Sequence, residues 1–91
     1  MLYSITAAAE QELDEAVEWF RQQQDGLQQR FLDEFQSTIA RIQAQPEIYQ
    51  ELNPDIRRAL MRRFPYSVIY EISEDTLLIL AIGHQHRRPY Y

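Results

Sequence analysis

The run Tyr66-Ser67-Val68-Ile69-Tyr70-Glu71-Ile72-Ser73-Glu74-Asp75-Thr76-Leu77-Leu78-Ile79-Leu80-Ala81-Ile82 decides the fold. Tyr66, Val68, Tyr70 and Ile72 alternate with Ser67, Ile69 and Glu71, the period-two pattern of a strand with one clearly apolar face. Ser73-Glu74-Asp75 supplies turn residues, so a hairpin is expected there. Thr76 to Ile82 is apolar almost without interruption. That predicts a strand buried on both faces and therefore interior to a sheet. Its free edge needs a cover.

Working back from this hairpin, Ile56 to Phe64 reads as a further strand. Arg57, Arg58, Arg62 and Arg63 surround Ala59, Leu60 and Met61, and Pro65 closes the run. Residues 46–55 read as a loop punctuated by Pro46 and Asn53-Pro54, folding back on the body through Ile48, Tyr49 and Leu52. Before it the period changes to that of a helix. Leu27, Phe31, Phe35, Ile39 and Ile42 are spaced by four, four, four and three, and Pro46 ends the segment. Arg30 and Glu34 are placed to pair across one turn.

An earlier helix carries Ala9, Leu13, Ala16, Val17 and Phe20 on one face, with Trp19 beside it. Thr6 is its expected N-cap, and Asp25-Gly26 breaks it. With so short a connection, the two helices should form an antiparallel hairpin. Leu2-Tyr3-Ser4-Ile5 reads as a first strand and is the natural cover for the open sheet edge. The prediction is an α+β domain spanning 1–91, of order β-α-α-β-β-β. Its helical hairpin packs on a small curved, largely antiparallel sheet.

Composition limits the functions available. The chain has 91 residues, enough for one domain and one core. It has no cysteine, which removes disulfides, thiolate metal sites and cysteine nucleophiles and fits a cytoplasmic protein. No apolar run is long enough to cross a membrane as a helix, and no signal peptide is visible. The net charge of −5 is unevenly spread: residues 1–55 carry eleven acidic side chains and three arginines, residues 56–91 three acidic side chains and six arginines. Every basic side chain apart from the two histidines is arginine, a residue suited to bidentate pairing with carboxylates or phosphates.

The end of the chain holds its densest set of functional groups, Gly83-His84-Gln85-His86-Arg87-Arg88-Pro89-Tyr90-Tyr91. His84 and His86 share a strand face, but two histidines without a third donor do not form a metal site, so no metal or other cofactor is expected. A metal-free ribonuclease needs a base, an acid and cations for the phosphate. His84 and His86 can supply the first two, Arg62, Arg63 and Arg87 the third, and Tyr91 an acid or a stacking surface. The same residues also suit a structural strand end, with arginines paired to helix carboxylates and tyrosines covering the core. Residue types alone leave both readings open.

Three segments together resemble the RelE/ParE toxin superfamily of bacterial type II toxin–antitoxin systems. They are Arg62-Arg63-Phe64-Pro65-Tyr66-Ser67-Val68-Ile69-Tyr70, Leu78-Ile79-Leu80-Ala81-Ile82-Gly83-His84 and Arg87-Arg88-Pro89-Tyr90-Tyr91. The resemblance covers essentially the whole chain, and the superfamily fold agrees with the order of elements derived above. RelE-like members are ribosome-dependent mRNA endonucleases. ParE-like members inhibit DNA gyrase and are not hydrolases.

The sequence bears on the choice between branches. Ser67 stands where ribonuclease members carry an arginine, Gln85 where RelE proper has another catalytic arginine, and no lysine exists. Tyr91 matches the terminal catalytic tyrosine of RelE proper. Phe64-Pro65-Tyr66-Ser67 is typical of the ParE-like branch.

The resemblance therefore implies a toxin that binds gyrase, inhibits growth and serves plasmid stabilisation. Arg62, Arg63, His84, Arg87, Arg88, Tyr90 and Tyr91 are the expected target contacts. A cognate antitoxin is the expected partner, docking in a groove between helical hairpin and sheet lined by Trp19, Phe20, Leu27 and Phe31. Operator DNA is expected only through the antitoxin, and no membrane. The alternatives are a RelE-like ribosome-dependent endonuclease using His84, His86, Arg62, Arg63, Arg87 and Tyr91, and a non-toxic homologue that survives as an antitoxin partner.

Overall fold

The computed structural model describes residues 1–85. Strand β1 (Leu2–Ile5) leads into helices α1 (Ala7–Gln23) and α2 (Leu27–Ala44). Four strands follow: β2 (Gln50–Asn53), β3 (Ile56–Leu60), β4 (Tyr66–Ser73) and β5 (Thr76–His84). They form one mixed sheet of order β1-β5-β4-β3-β2, with β1 parallel to β5 and the other pairings antiparallel. None of the described helices is long and apolar enough to cross a membrane.

Local chemistry sets the element boundaries. Thr6 caps α1 by accepting from the Ala9 N–H at 3.1 Å, satisfying one of the amides left over at a helix start. The same residue ties the helix to the sheet: its N–H donates to the Ile79 carbonyl at 3.1 Å and its hydroxyl to the Leu80 carbonyl at 3.4 Å. Gly26 ends the interhelical turn with φ of 91°, a left-handed conformation that costs a residue with a Cβ about 1–2 kcal/mol.

The apolar stripes named above meet in one core. Phe31, Phe35, Ile39 and Ile42 of α2 are all buried, as are Ala9, Ala16 and Phe20 of α1. They pack against Ala59, Met61, Val68, Tyr70, Leu77, Ile79 and Ile82. Thr38 is also fully buried on α2, where its hydroxyl donates to the Glu34 carbonyl one turn back at 2.8 Å. The expected Arg30–Glu34 pair does not form. Glu34 faces Arg41 at 3.5 Å instead, and Arg41 also donates to the Thr38 hydroxyl at 3.0 Å. The polar groups beside the buried Thr38 draw the carboxylate away from Arg30.

Three sequence expectations change in detail. The 46–55 segment contains the short edge strand β2, paired with β3 through Gln50↔Arg58 and Glu51↔Arg57. The partners are held by side chains as well. Arg57 Nη1 donates to the Tyr49 carbonyl at 2.9 Å, and Arg58 Nη2 to Gln50 Oε1 at 2.8 Å. The third strand stops at Leu60 rather than Phe64, because Arg63 takes a left-handed φ of 69° that no strand accommodates.

The last strand is buried on the helix side at Leu77, Ile79 and Ile82 and on the far side at Ala81, while Leu78 and Leu80 are only half-buried. Ile79 and Ile82 share the core face although they lie three residues apart, which a regular strand forbids. The register shifts by one between Ile69↔Ala81 and Tyr70↔Ile79, leaving Leu80 as the extra residue of a bulge. The continuous apolar run thus reflects a change of face as well as burial on two faces.

Candidate functional site

A groove of about 650 Å³ opens between the first half of α2 and the loop joining β3 to β4. Its walls are Arg30, Asp33, Glu34 and Ser37 from the helix and Arg62 and Arg63 from the loop, with Leu27 and Phe64 adding apolar surface. The loop is fixed at its base. The Met61 N–H donates to the Tyr66 carbonyl at 2.9 Å and the Tyr66 N–H to the Phe64 carbonyl at 2.8 Å. Phe64 stands edge-on to Phe20 and Phe31, with centroids 5.0 and 5.2 Å apart. Tyr66 joins the same cluster 5.1 Å from Phe31. This aromatic cluster anchors the apolar floor to the core and raises Arg62 and Arg63 into solvent, where both are exposed.

The acids of the groove are engaged locally. Asp33 accepts from Gln29 Nε2 at 2.9 Å, and Glu34 faces Arg41. Arg30 sits in the first turns of α2, where the start of the helix adds positive potential. The groove therefore offers guanidinium groups beside an aromatic and an aliphatic side chain, a combination suited to an interface. Among the described residues no cluster of histidine, cysteine and carboxylate side chains could hold a metal.

The other sequence-named residues are distributed differently. His84, at the end of β5, is half-buried with its ring 5.7 Å from Tyr66, outside the lining of the groove. Ser67 is buried, and its hydroxyl lies 3.5 Å from the Gly83 carbonyl as donor, so the position serves the β4–β5 pairing. His86, Arg87, Arg88, Tyr90 and Tyr91 lie outside the described residues.

The four residues expected to line an antitoxin groove do not share one. Phe20 and Phe31 are core side chains, buried by the aromatic cluster. Leu27 lines the arginine groove. Trp19 is 53% exposed on α1 and lines a smaller recess of about 190 Å³ with Glu12, Glu15, Tyr66, Ile82 and Gly83. Trp19 lies one residue off the buried stripe, which turns its ring outward while Phe20 turns in.

Sequence reasoning missed two features. Arg30 was assigned to Glu34, and only the Arg41–Thr38–Glu34 network shows that it faces the groove. Glu12, one of the acidic residues of α1, carries no sequence signal for a tertiary role. In the structure it accepts from the Ile82 N–H at 2.9 Å, on the edge of β5 that β1 leaves uncovered beyond Ile79.

Burial pushes the Tyr70 phenol up to about 12, against a smaller opposing effect of the Arg57 charge. Its hydroxyl donates to the Pro46 carbonyl at 2.6 Å, pinning the start of the 46–55 segment.

Comparison with known proteins agrees with the fold. No curated protein matches the chain. Among solved structures, it is similar to the chromosomal ParDE toxin–antitoxin system of P. aeruginosa, with 17% identity and a TM-score of 0.66, covering 92% of this chain and 95% of that one. The intact E. coli RelBE toxin–antitoxin complex is similar at 13% identity and a TM-score of 0.63, covering 94% and 98%. The isolated E. coli RelE toxin is similar at 15% identity and a TM-score of 0.59, covering 99% and 89%. At these identities the structures speak for the shared fold. A family model for the ParE toxin of type II toxin–antitoxin systems (parDE) matches residues 3–89, nearly the whole chain, and the chain therefore belongs to the ParE toxin family.

Proposed function

We propose that this type II toxin inhibits DNA gyrase by protein–protein binding and is neutralised by a cognate antitoxin. The observation that carries the reading is the ParE family match from residue 3 to residue 89. The chemistry of the exposed surface supports it. Arg62 and Arg63 are solvent-exposed beside Phe64, a contact-making set, and His84 lies against Tyr66 away from that groove. Ser67, which replaces the arginine of ribonuclease relatives, is spent on the β4–β5 pairing. The P. aeruginosa and E. coli neighbours, described as toxin–antitoxin systems, support an antitoxin partner.

In this reading Arg62, Arg63, His84, Arg87, Arg88, Tyr90 and Tyr91 contact the target. The toxin is cytoplasmic and meets operator DNA only through the antitoxin. Its net charge of −5 is consistent with that, since affinity for a phosphate backbone depends on clustered cations. The test is a gyrase supercoiling assay with the purified chain, free of antitoxin, and a readout for trapped cleaved DNA. Inhibition or trapped cleavage is the expected outcome. A folded sample that leaves gyrase untouched but cleaves mRNA on ribosomes would transfer the chain to RelE-like activity, with cleavage lost in His84→Ala.

A further inference from the structure

Seven arginines lie among the described residues, and they divide sharply. Four are committed. Arg21 pairs with Glu18, Arg41 with Glu34, Arg57 with Glu51 and the Tyr49 carbonyl, and Arg58 donates to Gln50. The remaining three are Arg30, Arg62 and Arg63. None of them makes a side-chain hydrogen bond or an ion pair among the described residues. All three line the same groove.

The distribution has a physical meaning. Net charge is −5, and the groove itself holds Asp33 and Glu34, yet those carboxylates are occupied by Gln29 and Arg41 rather than by the groove's own cations. The walls thus present three guanidinium groups to whatever enters, over the apolar surface of Leu27 and Phe64. Arg63 is held in a left-handed conformation at φ 69°, by a loop whose ends are closed by backbone hydrogen bonds.

We propose that this groove seats the neutralising segment of the cognate antitoxin, and that the segment presents carboxylates to Arg30, Arg62 and Arg63 and an apolar side chain to Leu27 and Phe64. This rests on the reading that an antitoxin neutralises the chain, and it adds where that segment binds and what chemistry it carries. Bidentate guanidinium–carboxylate pairs fix orientation, and burial of the apolar anchor excludes water from them. A nucleic-acid backbone offers no apolar side chain to cover Leu27 and Phe64, which a protein segment does. Occupancy by the antitoxin covers Arg62 and Arg63, so neutralisation acts by occluding target contacts directly.

The test uses the full chain and its co-purified antitoxin. Affinity is measured at several salt concentrations for the wild type, for the triple variant Arg30→Ala, Arg62→Ala, Arg63→Ala, and for Arg21→Ala as a control outside the groove. Loss of three guanidinium–carboxylate pairs should weaken binding by roughly ten- to a hundredfold. Salt dependence should flatten, while Arg21→Ala binds as the wild type does. A twelve-residue peptide of glutamate and leucine should displace the antitoxin, and its glutamine counterpart should not.

Unchanged affinity in the triple variant overturns the proposal. So does equal competition by the glutamine peptide, or stronger competition by an RNA oligonucleotide of the same length. A triple variant that keeps the antitoxin but loses gyrase inhibition also overturns it, assigning the groove to the target alone. Loss of antitoxin binding in the triple variant, with gyrase unaffected by the wild type, upholds the proposal while the gyrase reading fails.

Discussion

The two ends of the helical hairpin treat their charged side chains in opposite ways. Beside β5, the carboxylate of Glu12 accepts a backbone N–H of the sheet, and Thr6 donates to the Leu80 carbonyl. Beside the β3–β4 loop, the side chains of Arg30, Arg62 and Arg63 surround a groove and make no hydrogen bond or ion pair among the described residues. The aromatic cluster of Phe20, Phe31, Phe64 and Tyr66 anchors the second of these ends to the sheet. The contrast separates polar groups that complete the fold from polar groups kept for a partner. Committed groups carry stability, because removing one strands its partner. Uncommitted groups carry little, since exposed substitutions away from such features change stability by about 0.5 kcal/mol or less.

Substitutions can break this comparison, and the largest effect is expected in the aromatic cluster. Phe31→Ala empties the centre of the aromatic cluster and should cost about 3–5 kcal/mol, measured by chemical denaturation. A cost under about 1 kcal/mol would mean that the cluster does not anchor the loop to the core.

Glu12→Ala comes next. It leaves the Ile82 N–H without its acceptor and should cost about 1–3 kcal/mol. Glu12→Gln keeps an acceptor oxygen and should lose less. Equal losses in both variants would assign the effect to charge rather than to the hydrogen bond.

Tyr70 sharpens the same point through pH. Its folded value, about 12, lies above the ordinary phenol value near 10. The neutral phenol is therefore favoured by folding. Its stabilisation is complete below about pH 10 and is lost as pH rises toward 12. Urea titrations across that window should show the decline in the wild type and a smaller one in Tyr70→Phe, which also lacks the bond to the Pro46 carbonyl.

Gly26→Ala should cost about 1–2 kcal/mol through φ of 91° alone, as no atom crowds the site. The smallest effect on stability belongs to Arg62→Ala, expected within about 0.5 kcal/mol in a thermal melt while partner binding falls. A large loss of stability there would erase the distinction between the two ends.

Much of the fold was legible in the residues. Alternation from Tyr66 to Ile72 marked β4, the four-four-four-three spacing from Leu27 to Ile42 marked α2, and Thr6 and Gly26 marked the breaks. These are local signals, carried by side-chain period and by the backbone preferences of single residues. The edge strand β2 was not legible, because its four residues Gln50–Asn53 carry little alternation and owe their conformation to pairing with β3. The bulge at Leu80 was equally hidden, since an apolar run reads the same whether it faces two sides or shifts from one to the other.

The candidate site divides along the same line. Arg62 and Arg63 stood out as a basic pair next to Phe64-Pro65-Tyr66. Arg30 did not, because spacing along a helix offers it Glu34, and only the buried Thr38 and its neighbour Arg41 take that carboxylate away. Trp19 and Phe20 are adjacent in sequence and alike in chemistry, yet one is 53% exposed and the other buried. The sequence by itself determined the order of elements apart from β2, the composition of the core stripes and the resemblance to a toxin family. The tertiary structure decided which polar groups satisfy one another. Such pairing depends on distances between segments far apart along the chain, as Glu12 and Ile82 are, and local pattern does not encode those distances.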